Sequence, residues 1–215
     1  MANGKVTTLW RFARRLLAST AILVVVLVRL AFAVSNQSIP LGKWPVLSFD
    51  GANTTIRYHL TGWPHVTRGT FKLKGGKIQI DPVSGRMLGS LVVDAASGDS
   101  GHSVRDARMN NSVLEVQSFP EVSFEPQQVE SHGTPPGEFP VSVRGVMTIH
   151  GSTHPLMVVA RVERHNDAVV VHCTFAIPYV AWGLKDPSIL FFNVAKEVEV
   201  EVTAVGHLEW MPPPG

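Results

Sequence analysis

From residue 54 onward, apolar side chains recur at every second position, the spacing of strands that bury one face and wet the other. Ile56, Tyr58 and Leu60 alternate with Thr55, Arg57 and His59, and Phe71 and Leu73 with Thr70, Lys72 and Lys74. Ile78 and Ile80 then alternate with Lys77 and Gln79, and the intervening Gly75-Gly76 predicts a two-residue hairpin. Val122 and Phe124 mark a short strand and Val141 to Ile149 a long one. Leu156, Val158, Ala160 and Val162 form the next run, and Val169, Val171, Cys173, Phe175 and Ile177 the one after. The last run is the cleanest, with Val198, Val200 and Val202 on one side and Glu197, Glu199 and Glu201 on the other. About eight to ten strands with short turns predict an all-β antiparallel fold, either a sandwich or a closed barrel. A barrel of about eight strands can hold one small ligand in its lumen, whereas a sandwich fills its middle with side chains. Period two identifies the apolar face and leaves both architectures open.

One polar stretch interrupts this pattern, GDSGHSVRDARMNNSV at residues 98–113. Its Asp, His, Ser and Arg are the residue types of general acids, bases and nucleophiles. The structural reading is stronger. Ser103 and Asp106 form an S-x-x-D helix start, in which the Ser103 hydroxyl accepts a backbone N–H and Asp106 sits near the positive end of the helix dipole. A short helix is expected near 103–115, with Val104, Ala107, Asn111 and Leu114 on its inner face and His102, Arg105 and Arg108 solvated. The adjacent His102 and Ser103 do not face one another on a helix, so no nucleophile–base pair is expected.

The charge distribution changes the picture of the N-terminus. The chain has 19 Lys and Arg against 17 Asp and Glu, but five of the cations (Lys5, Arg11, Arg14, Arg15, Arg29) lie in the first 33 residues, which hold no carboxylate. The remainder carries fourteen against seventeen, so nucleic acid is not expected as a partner. Arg11, Arg14 and Arg15, the apolar run Leu16 to Val28 and Ala31-Phe32-Ala33 have the layout of an export signal, cleaved after Ala33 or retained as an anchor. The globular part is then periplasmic or extracellular, and an anchor would hold it near a membrane. Residues 34–45 are expected to be a linker, 46–208 the domain and 209–215 a tail. The single Cys173, at strand spacing, is expected to be a small buried apolar residue.

Other candidate chemistry is sparse. His150 and His154 have H-x3-H spacing, but Gly151 and Pro155 make the segment a turn, so no metal site is expected. No phosphate-binding, dinucleotide-binding or nucleophile-elbow motif is present, and no cofactor is expected. Gly62-Trp63-Pro64-His65 predicts a loop with an aromatic plug. In PYVAWGLKDPSILFF, Tyr179, Trp182, Leu190, Phe191 and Phe192 surround a Gly/Pro loop that either seals the core or rims an apolar pocket.

Three segments, in order, resemble the YceI-like family of lipocalin-like, polyisoprenoid-binding bacterial envelope proteins. They are HVTRGTFKLKGGKIQID, SGHSVRDARMNNSVLEVQSFPEVSFEP and VRGVMTIHGSTHPLMV. The resemblance covers about residues 46–208 and implies an extended antiparallel barrel of about eight strands with one short helix between strands. It further implies an apolar lumen for a long isoprenoid such as a quinone or polyprenyl lipid, and no established catalytic residue. Arg105, Asp106, Gly145, His150 and Gly151 match signature positions without an assigned role. AIPYVAWGLKD departs from the charged run many members have there. The expectation is a non-enzymatic lipid binder whose lumen is lined by Ile56, Tyr58, Phe71, Leu73, Phe124, Val171 and Phe175. The alternatives are an enzyme acting on a bound apolar substrate near Arg105, Asp106 and His150, and a ligand-free envelope stress or interaction module.

Overall fold

The computed structural model describes residues 42–132, 137–189 and 193–214. The expected export signal and most of the expected linker lie outside these residues, as do Leu190, Phe191 and Phe192. Among the described residues there are nine strands: β1 (Trp44–Phe49), β2 (Thr54–Leu60), β3 (Thr67–Ile80), β4 (Met87–Asp99), β5 (Glu121–Ser131), β6 (Phe139–Ile149), β7 (Ser152–His165), β8 (Ala168–Ile177) and β9 (Val198–Met211). Each pairs antiparallel with its neighbours. β1 and β2 share one place in the sheet. β1 lies between the end of β3 and the end of β9, while β2 lies between the start of β3 and the start of β9. With β3 also pairing β4, the nine strands occupy eight positions and the sheet closes on itself. The fold is a closed eight-position barrel, and of the two architectures open to the sequence the sandwich is excluded.

Three details of the strands differ from the sequence expectation. Gly75-Gly76 does not turn the chain: β3 runs unbroken through it, with a register shift between Leu73 and Gly75 and a Gly75 φ of +142°. The two glycines bend the strand instead and exchange its parity, so that Leu73 and Ile78 both face inward. β4 has no uninterrupted alternation in the sequence, yet it supplies Met87, Leu91 and Val93 to the inside. Strand pairing also extends from Trp44 to Met211, just past both edges of the expected 46–208 domain.

The helix α1 (Ser103–Arg108) forms where a helix was expected, but its start and its inner face are different. His102 holds the N-cap position without a side-chain bond, and Ser103 is already the first helical residue, so its hydroxyl makes no cap. Asp106 does the terminal work by accepting the Ser100 N–H at 3.0 Å. Hydrogen bonding from Ser100 and from the His102 backbone holds its carboxyl below the ordinary carboxylate range. After Arg108 the chain widens into a π-helical turn, Met109–Val113, which rotates the following residues about the axis. Val104 points to water at 72% exposure, while Arg105, Arg108, Met109, Val113 and Leu114 line the mouth of the barrel.

Candidate ligand-binding lumen

The inward faces of the strands do not meet. They enclose a cavity of about 670 Å³ that runs through the barrel. Its size falls within the range of small-molecule sites. All seven side chains expected at the lumen reach it: Ile56 and Tyr58 from β2, Phe71 and Leu73 from β3, Phe124 from β5, and Val171 and Phe175 from β8. The alternation that placed them follows from pleating, because every second Cβ on a strand of a closed barrel points to the same side. Cys173 lies between the last two on the same face, and burial pushes its thiol up to about 11. Its surroundings suit an inert apolar residue.

Among the described residues, charged and imidazole side chains reach the cavity only at its two ends. His65, Arg105 and Arg108 stand at the end that carries α1, here called the helical end, and Asp81 and Arg164 at the far end. The β2–β3 loop and the segment after β8 complete the helical end. Arg108 donates to the Pro187 carbonyl at 3.1 Å, and the Trp63 N–H donates to the Asn193 carbonyl at 2.9 Å. Pro187 is thus tied to the helix and Asn193 to the β2–β3 loop. Trp63 is not a buried plug: it lies at the rim, 69% exposed.

The Tyr179–Leu184 segment both seals and rims. β7 and β8 pair only between Ala160–His165 and Ala168–Cys173, so their helical-end portions separate. There the Trp182 indole stacks on His154 with centroids 4.4 Å apart and planes 2° from parallel. Tyr179 donates its hydroxyl to the Ala195 carbonyl at 2.7 Å, and burial pushes its phenol up to about 12. Tyr179 and Leu184 contribute their apolar faces to the lumen.

Four of the five signature positions have a structural task. Gly145 makes room for the Phe124 ring, which a Cβ would meet at 2.8 Å, and a Cβ would also press on the Glu125 carbonyl. His150 and Gly151 form the β6–β7 turn with φ of +51° and +73°. The His150 Nε2 lies 3.0 Å from a Glu115 carboxylate oxygen, and its ring packs on Phe119 at 4.4 Å. A Cβ on Gly151 would meet the Phe119 ring at 2.6 Å. Asp106 fastens the start of α1. Arg105 alone faces the mouth, and no described carboxylate forms an ion pair with it. His150 thus braces the β6–β7 turn against Glu115 and Phe119, while Arg105 lines the mouth.

Several lumen residues carried weaker sequence signals. Leu91 and Val93 belong to the Val-rich run in β4, whose alternation is blurred by Val92. Leu114, expected on the inner face of the helix, does reach the lumen, whereas Met109 was obscured by the π-helical turn, which breaks the period of 3.6.

An antiparallel barrel of eight positions closed around an apolar lumen, with a helix at one end, is a barrel wide enough to hold a small ligand. Residues 47–205 match the YceI-like domain, and the chain belongs to that family. Burkholderia cenocepacia BcnA shares the fold at 21% identity and a TM-score of 0.62, covering 73% of this chain and 98% of its own. A polyisoprenoid binding domain from Saccharophagus degradans, implicated in plant cell wall breakdown, does so at 15% identity and a TM-score of 0.61, covering 76% and 98%. No curated protein gives a match.

Proposed function

We propose that the protein binds one long isoprenoid lipid, of quinone or polyprenyl type, with the chain in the lumen and the head at the helical end. The carrying observation is the cavity itself: a tunnel of about 670 Å³ in which, among the described residues, no charged side chain stands between the ends. Burying a CH₂ group contributes about 0.8 kcal/mol, so each five-carbon unit adds a few kcal/mol of gross driving force, part of which is offset by ordering the chain. Such a ligand needs few polar contacts, and Arg105 and Arg108 supply cationic partners where a head would emerge. The polyisoprenoid-binding domain of similar fold supports the choice of lipid. The role is binding or carriage without catalysis, in an exported bacterial protein.

The test is uptake of defined lipids by the purified protein. Wild type is expected to take up one long-tailed quinone or polyprenyl phosphate per chain. Val171→Trp, which fills the middle of the lumen, is expected to lose uptake while keeping a cooperative unfolding transition. Absence of uptake by wild type, or equal uptake by the filled variant, contradicts the reading.

A further inference from the structure

We propose that the helical end is a membrane-docking face, which sets the mouth of the lumen against a bilayer containing anionic phospholipid. Large apolar side chains normally retreat from water, yet among the described residues four are exposed around this mouth. Trp63 and Val66 project from the β2–β3 loop at 69% and 45%, Val104 from α1 at 72%, and Ile189 from the segment after β8 at 44%. Their arrangement follows from the bonds already described: the segment holding Ile189 is tied to α1 through Arg108–Pro187 and to the β2–β3 loop through Trp63–Asn193. A tryptophan among aliphatic side chains suits the boundary between head groups and acyl chains.

Cations accompany this apolar rim. Arg68, Arg105, Arg108 and Lys185 are exposed at the same end, and none forms an ion pair with a described carboxylate. Of the carboxylates at this end, Asp186 is paired with Lys196 and Glu115 lies 3.0 Å from His150, Asp99 and Asp106 accept the N–H groups of Gly101 and Ser100, and Glu197 is exposed just before β9. Glu199 and Glu201 stand on the outer wall of the barrel, below the rim. The partner that fits a hydrophobic ring with unpaired cations is a surface that is apolar beneath and anionic above, a bilayer rather than an acidic protein. The mouth opens within this ring, so a lipid could pass between bilayer and lumen while its chain stays shielded from water. The docking face does not depend on what the lumen holds.

A polarity-sensitive fluorophore tests this in the full chain carrying Cys173→Ser, attached to Trp63→Cys in one sample and to Val83→Cys in the other. Val83 is 54% exposed in the turn between β3 and β4, at the far end. Because the two labels report which end meets the lipid, an N-terminal anchor does not confound them. With phosphatidylcholine vesicles containing phosphatidylglycerol, the label at 63 is expected to shift to the blue and the label at 83 to remain in water. Arg105→Gln with Arg108→Gln should weaken this response about tenfold, and high salt should weaken it too. A label at 63 that stays in water, an equal shift at 83, or a response unchanged by the arginine substitutions overturns the proposal. Lipid uptake into the lumen is measured separately, so failure of docking leaves that result standing.

Discussion

The lumen exists because individual side chains stop short of filling it, and glycine and cysteine show this most clearly. Gly145 leaves space that the Phe124 ring occupies against the barrel wall. Gly145→Ala should push that ring inward and strain the Glu125 backbone, lowering stability by about 1–3 kcal/mol in chemical denaturation. A change below a few tenths of a kcal/mol would show that the wall relaxes freely. Cys173 reports on the same interior. With its thiol raised to about 11 by burial, the folded protein should be nearly inert to thiol reagents at neutral pH and become reactive only toward that value or on unfolding. Rapid labelling of the native protein at neutral pH would mean that the lumen is open to water at this depth.

At the scale of elements, the strands were legible from their alternation and the exceptions have identifiable causes. Glutamates opposite valines marked the orientation of β9, since a charged row cannot face an apolar interior without paired partners. Gly75-Gly76 predicted a hairpin because glycine signals both turns and bulges, and only the pairing of β3 with β4 distinguishes them. Beyond Arg108 the inner face of the helical segment was misread because sequence periodicity assumes 3.6 residues per turn and the π-helical turn at Met109–Val113 departs from it. The loop after β8 depends on a local polar clamp. Bonds from Lys196 and from Ser188 hold the Asp186 carboxyl at about 2, against an ordinary 3.8. Its folded value lies below its unfolded one, so the contribution is present above about 3.8 and is lost as pH falls toward 2. Thermal unfolding followed across that window should show wild type losing stability that Asp186→Asn lacks throughout. Parallel pH profiles for the two proteins would remove the clamp from the account.

For the whole molecule, the class of fold was readable and the hollowness was not. Period two shows that one face of each strand is apolar, and a packed core and an empty lumen produce the same sequence pattern. What separates them is closure, which depends on β1 and β2 sharing a place and on β3 meeting β4 across the seam. Neither is local in sequence. The resemblance to a known family supplied the barrel as an expectation, and the strand pairing establishes it. The central claim is that this lumen carries an isoprenoid lipid, and native mass spectrometry of the protein isolated from its own host tests it most directly. The account predicts one bound molecule per chain, released on unfolding and identified by its mass as a long isoprenoid. Protein that carries no added mass, and acquires none when quinone or polyprenyl lipid is supplied, would contradict it.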